Sequence, residues 1–222
     1  MNNQFPAGKV FVSDEKIKID DKEYAMTIDH HKNKGTKLDY YNLGGWGFAD
    51  SGFEVDQKLM EVRIKGNRYM YGGEIMPALK PFLQTSLGLD LRHKADLPFK
   101  LQINAPKANH AFLEELGDQQ FSRRTFDEME RLHHSHGQTF QEILEARVGK
   151  LDKYVDMVLY PYSTEQCELL VKLANKHNVV LVPFGGGTTV SQSLKLPMNE
   201  NRMIVSVDMT RMNQIKWVDK EN

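Results

Sequence analysis

Leu181-Val182-Pro183-Phe184-Gly185-Gly186-Gly187-Thr188-Thr189-Val190-Ser191 runs from an apolar, β-branched stretch straight into three glycines and then into hydroxyl residues. Consecutive residues without a Cβ let neighbouring backbone N–H groups converge from one side, and they admit φ > 0. A concave row of amides of that kind suits an anion, most commonly a phosphate. The hydroxyls of Thr188, Thr189 and Ser191 are further donors at its rim. A bare glycine triplet also fits a flexible surface turn, so the flanking segments have to decide.

Upstream, Met157-Val158-Leu159-Tyr160 before Pro161 has the pattern of a buried strand. Ser163-Thr164-Glu165-Gln166 is a capping-box signal, and Leu169, Leu170, Leu173 and Ala174 give the following helix one apolar face. Asn178 closes that helix and residues 179–182 form the next strand. A strand, a helix and a strand with short links predict a βαβ unit, with parallel strands and a right-handed crossover. The glycines then lie just beyond the carboxyl end of the second strand, where open α/β sheets bind ligands. Downstream, residues 203–207 read as a further strand ending at Asp208, and Ile215 and Trp217 begin another.

Two phosphate-binding motifs compete for the loop. Gly185-x-Gly187 with Asp208 about 20 residues on fits part of the Rossmann fingerprint. However, Val190 stands at the third-glycine position, and residues 191–201 contain Pro197 and no helical pattern. The helix dipole on which that motif relies is therefore missing. A P-loop fails because no Gly-Lys-Ser/Thr follows the glycines. A phosphate here is held by the backbone nest alone.

The rest of the chain is less sharply written. Residues 1–40 read as an N-terminal arm in which Val10-Phe11-Val12 and Ile17-Lys18-Ile19 pair as a hairpin. Residues 41–150 read as a mainly helical region with a strand over 61–69. Its expected helices are 77–87 closed by Gly88, 112–116 ending at Gly117, 126–135 and 138–148. Thr125-Phe126-Asp127-Glu128 supplies a capping box for the third, and Phe140, Ile143 and Leu144 an apolar face for the last. In Asn42-Leu43-Gly44-Gly45-Trp46-Gly47-Phe48 the glycines allow close backbone approach beside a packed indole. Residues 151–222 carry the βαβ unit, and the whole is an α+β chain with an α/β C-terminal half.

With 40 % apolar and 27 % charged residues the 222-residue chain is globular, and its net charge of −1 gives nucleic-acid binding no footing. The single cysteine, Cys167, precludes an internal disulfide framework and fits a reducing compartment. No apolar run approaches the roughly 20 residues of a membrane span, and residues 1–9 lack the apolar core of a secretory signal. The expectation is a soluble intracellular protein. The spacing of His133, His134 and His136 does not bring three rings to one helix face, so they read as packed residues and no metal is expected. No catalytic residue stands out: there is no serine elbow and no paired-carboxylate spacing.

Taken in order, Val155-Asp156-Met157-Val158-Leu159-Tyr160-Pro161, the capped helix, the loop at 182–190 and Val207-Asp208-Met209-Thr210-Arg211-Met212-Asn213 resemble the first part of an FAD-binding domain. The domain is of the vanillyl-alcohol-oxidase or p-cresol-methylhydroxylase (PCMH) type. Gly45-Trp46-Gly47-Phe48-Ala49-Asp50-Ser51, Gly66-Asn67-Arg68-Tyr69, Leu87-Gly88-Leu89 and His136-Gly137 narrow the resemblance to the alkyldihydroxyacetonephosphate synthases, from about residue 41 onward.

That resemblance implies FAD as cofactor, with Pro183, Phe184, Gly185, Gly186, Gly187, Thr188, Thr189 and Ser191 at its pyrophosphate. It implies ether-lipid synthesis, in which a fatty alcohol replaces the acyl chain of acyl-dihydroxyacetone phosphate. The flavin there is a covalent catalyst without net redox change. It further implies a peroxisomal, typically dimeric enzyme with room for peripheral membrane contact. Lys220-Glu221-Asn222 is not a Ser-Lys-Leu-type address, and Lys16 stands where the N-terminal targeting pattern requires His or Gln. Family enzymes are considerably longer, and their cap domain and late active-site residues have no counterpart here. The expectation is thus an N-terminal, incomplete FAD-binding part, inactive alone and either dimeric or joined to a complementing chain. The alternative is a shortened, non-catalytic paralogue serving as a binding or structural module.

Overall fold

The structure, a computed structural model, describes residues 11–29, 41–56, 58–93, 97–117 and 123–220. In chain order the strands and helices are β1 (Phe11–Val12), β2 (Lys16–Ile19), β3 (Lys22–Ala25), β4 (Thr27–Asp29), β5 (Gly52–Asp56), β6 (Glu61–Lys65), α1 (Leu79–Pro81) and α2 (His110–Leu116). They continue with β7 (Arg123–Thr125), α3 (Glu128–His133), α4 (Phe140–Arg147), β8 (Met157–Tyr160), α5 (Thr164–His177), β9 (Val180–Phe184) and β10 (Ile204–Asp208). The main sheet has six strands in the order β1-β4-β7-β8-β10-β9. Strands β8, β10 and β9 are mutually parallel, and β1, β4, β7 and β8 pair antiparallel. The fold is mixed α/β, as expected.

The centre of the sheet is where the sequence is most apolar. All of β8 and all of β10 are buried, the signature of strands covered on both faces. Met157, Leu159, Val205 and Val207 face α2 and α5, where Phe112, Leu116, Leu170 and Leu173 complete the largest core cluster. Val158, Tyr160 and Ile204 point to the other side, against Val155 and Leu196.

Helix α5 begins as its capping residues dictate: Ser163 accepts a hydrogen bond from the Gln166 amide. It ends at Asn178, which takes the left-handed conformation. The strands on either side of α5 are parallel, but they are not neighbours, because β10 lies between them. This placement follows burial. The half-exposed β9 takes the edge, where Pro183 has no outer partner to deny an N–H.

The N-terminal region departs most from expectation. Residues 16–19 pair with 22–25, not with 10–12, and β1 pairs with β4 instead. Strand β4 in turn pairs with β7 in the main sheet and buries Ile28, so β1 and β4 belong to that sheet while β2 and β3 form a separate hairpin between them. Residues 41–150 are less helical than predicted, with a β5–β6 hairpin and a helix at 77–87 that is only α1 plus a π-helical turn over Phe82–Ser86. Thr125 does not cap α3. Its hydroxyl bonds Thr27 across β4–β7, and Asp127 takes the N-cap role, accepting from the Glu130 amide. In α4 only Ile143 of the expected apolar face is well buried, whereas Phe140 is exposed. Residues 212–220 form no strand; Ile215 and Trp217 are exposed, with no partner strand among the described residues.

Candidate functional site

The parallel strands finish together at Tyr160, Phe184 and Asp208, and the glycine loop leaves from the edge strand at that end. Phe184 is buried, while Gly185 and Gly186 are exposed. Gly187 holds φ at +69°, and a Cβ there would lie 2.6 Å from the tip of the Phe184 ring. The left-handed turn and the close approach both demand glycine. A Cβ at Gly185 would meet nothing within 4 Å, so the loop's mouth is open. Among the described residues no carbonyl takes the amides of Gly186, Gly187 or Thr188. Unpaired amides on an open loop are the donor set an anion requires.

The hydroxyls predicted for the rim divide by role. Thr188 is exposed beside the glycines. Thr189 Oγ1 accepts from the Ser191 amide (3.3 Å) and the Ser193 hydroxyl (2.9 Å), and it lies 3.1 Å from Ser191 Oγ. Thr189 and Ser191 therefore shape the loop's exit, together with Ser193, which carries no signal in the sequence. Residues 185–203 hold no helix, so the nest acts without a helix dipole.

Beneath the loop the Phe184 ring packs on His134, with centroids 4.2 Å apart, and on His133 at 5.5 Å. His134 Nδ1 lies 2.7 Å from the Glu130 carbonyl and Nε2 lies 3.0 Å from Asp208 Oδ2. The ring thus stands between two acceptors, a backbone carbonyl and a buried carboxylate, within hydrogen-bonding distance of both. The other Asp208 oxygen takes the Thr210 amide at 2.7 Å. Burial pushes the Asp208 carboxyl up, but the hydrogen bonds from His134 and Thr210 outweigh it and hold the group below its usual value. Asp208 is 3 % exposed and turned to His134 and Thr210 beneath the loop, a placement that does not offer it to a ribose hydroxyl as the Rossmann assignment requires.

A second layer, unmarked by any motif, lies behind this pair. The Glu130 carboxylate receives both guanidinium nitrogens of Arg123 and the Tyr160 hydroxyl at 2.6 Å. Arg123 also faces Asp29 at 3.5 Å, and Asp29 meets Arg211 at 3.2 Å. Burial opposes the Arg123 charge, yet the bonds to Glu130 prevail and raise its pKa. The Tyr160 phenol is held well above its ordinary range by burial and by the adjacent Glu130 charge. Glu130 and Asp29 are thus each faced by an arginine. The gap between the loop and these groups is only about 10 Å³, about the volume one water centre needs. That gap has no room for a phosphate.

The remaining candidates do not join this site. His136 is buried away from it, in a small cavity beside Lys153 and Lys195. Cys167 lies 3.7 Å from Met212 Sδ, and burial raises its thiol pKa, which leaves it protonated and unreactive. Trp46 is 51 % exposed, so it is not a core residue. Its ring borders an apolar groove of about 580 Å³ lined also by Phe53, Ile64, Tyr69, Phe140 and Leu144. Among the described residues no helix is long and apolar enough to cross a membrane.

Known proteins resemble this chain in sequence and in fold. Residues 155–222 match the model of an FAD binding domain, which defines the class of that segment and implies a flavin cofactor. An alkyldihydroxyacetonephosphate synthase of Caenorhabditis elegans is 31 % identical over 199 residues, covering 89 % of this chain and 33 % of its own length. One from Dictyostelium discoideum is 29 % identical over 194 residues, covering 79 % and 30 %. A solved alkyldihydroxyacetonephosphate synthase in a P1 crystal superposes with a TM-score of 0.69 at 25 % identity, over 83 % of this chain and 35 % of that one. The chain is a homologue of the alkyldihydroxyacetonephosphate synthases and spans about a third of the length of the relatives it matches.

Proposed function

We propose that this chain forms the pyrophosphate-holding wall of an FAD site in an alkyl transferase of the alkyldihydroxyacetonephosphate synthase type. The whole enzyme would exchange the acyl chain of acyl-dihydroxyacetone phosphate for a fatty alcohol in peroxisomal ether-lipid synthesis, as a homodimer or with a complementing chain. The observation that carries the reading is the set of amides at Gly186, Gly187 and Thr188 that no carbonyl takes among the described residues, on a loop with Gly185, Gly186 and Thr188 exposed, at the carboxyl end of a parallel sheet. In that role the amides and the Thr188 hydroxyl bind the phosphates. Gly185 and Gly186 let them approach the backbone, and Phe184 seals the floor against water. The bound flavin supplies a nucleophilic ring for group transfer. The residues of this chain bind and orient it.

Gly186→Asp tests the assignment. A Cβ at Gly186 makes only ordinary contact, 3.5 Å from Thr188 Cγ2, so the fold is kept while a carboxylate enters the cradle. Titration of FAD, followed by quenching of flavin fluorescence, should show binding by the parent chain and none by the variant. Equal affinity in the two would end this reading of the loop.

A further inference from the structure

Residues 136–139, the turn between α3 and α4, touch the exit of the glycine loop. The Gln138 amide donates to the Thr189 carbonyl at 2.7 Å. A Cβ at Gly137 would lie 2.6 Å from that same oxygen and 2.7 Å from Thr189 Cγ2, so the two backbones meet with no room for a side chain. The turn is itself held from several directions. Glu142, 3 % exposed, takes the Gly137 amide on one carboxylate oxygen (2.9 Å). Its other oxygen takes the Thr139 amide (3.3 Å) and hydroxyl (2.6 Å). The Trp46 indole N–H donates to the Gln138 carbonyl at 3.0 Å. His136 Nδ1 lies 2.7 Å from the Gly137 carbonyl.

This is more fixation than a connecting turn needs, and three of these contacts, from Trp46, His136 and Glu142, fall on the peptide units on either side of Gln138. The glycine loop needs such a support. Three glycines carry the largest backbone freedom of any sequence, and a ligand that must freeze them binds more weakly than one meeting a preorganised cradle.

We infer that the 136–139 turn is a strut that positions the phosphate cradle: Gly137 and Gln138 fix the Thr189 carbonyl, and through it the spacing of the amides at 186–188, while Glu142 and Trp46 hold the strut. Glu142 and Trp46 act through the turn and are positioning residues. The inference rests on the loop being the phosphate site.

Four variants of the full chain test it by FAD affinity, with Gly186→Asp measured beside them. Gly137→Ala and Glu142→Gln should weaken binding roughly tenfold, within the range by which coupled residues outside a site alter it. Trp46→Phe keeps the ring and removes the donor, so it should give a smaller loss with an unchanged apo melting temperature. Glu145→Gln, on the same helix, should match the parent. In the parent, hydrogen exchange at the Gln138 amide should slow when FAD is added, a response that a merely structural turn would not show. If Gly186→Asp abolishes binding while Gly137→Ala and Trp46→Phe bind as tightly as the parent, the strut is wrong and the cradle stands. If Gly186→Asp itself binds normally, both fall. Should Gly137→Ala fail to fold, Trp46→Phe and the Gln138 exchange rate still decide, and unchanged exchange on adding FAD overturns the strut.

Discussion

His134 and Asp208 meet at 3.0 Å beneath the glycine loop. Each is almost wholly buried, and the imidazole together with the amide and hydroxyl of Thr210 replaces the water that Asp208 has lost. His134→Leu strands the carboxylate and should cost about 3 kcal/mol in chemical denaturation, the usual penalty for half of a broken buried pair. Adding Asp208→Asn should recover part of it, and a purely additive double variant would refute the coupling. The same pair sets a pH dependence. Because the folded Asp208 pKa is depressed, its contribution is complete above the unfolded value of about 4 and is lost as pH falls through the folded one. Asp156 has the opposite sign: burial raises its pKa although the Lys107 and Ile204 amides bond it, so its cost is present at neutral pH and eases in acid. Asp208→Asn should therefore flatten the acid side of the stability profile, and a profile as steep as the parent's would contradict this.

At the scale of elements, α5 ties the sheet to its largest core cluster and depends on a single cap. Ser163→Ala removes the acceptor for the Gln166 amide and should lower stability by about 1 kcal/mol. Leu170→Ala, at a side chain 1 % exposed, should cost about 3 kcal/mol. Equal denaturation midpoints for the two variants would show that the helix is not anchored as described. Helix α5, β8 and β9 were legible because their causes are local: a capping serine, an apolar run, an asparagine that accepts a left-handed turn. The insertion of β10 between β8 and β9 was not, since it depends on which strand gains most from burial on both faces. Strand β7 escaped because its Arg123-Arg124-Thr125 looks like surface. Arg123 is buried only through Glu130 and Asp29, which arrive from α3 and β4. The site divides in the same way. Glycines announce the loop, while the charges beneath it come from elements far apart in sequence.

For the molecule as a whole, the cradle couples ligand to stability. A ligand that binds the folded chain and not the unfolded one stabilises it by RT ln(1 + [L]/Kd), about 2.7 kcal/mol at a hundredfold excess over Kd. In a chain of this size that corresponds to a rise in melting temperature of roughly 5–10 °C. Because the proposed contacts are to the pyrophosphate, the response should sort ligands by that group and not by the flavin ring. FAD and ADP should both raise the midpoint, adenosine and riboflavin should not, and added salt should shrink the ADP shift by screening an exposed anion site. In Gly186→Asp the shifts should vanish while the apo midpoint stays near the parent's, since that loop position is exposed and makes no close packing contact. A riboflavin shift as large as that of FAD would place the binding energy in the ring and away from the glycine loop. The same ADP shift in Gly186→Asp would show that the phosphates sit elsewhere on the sheet.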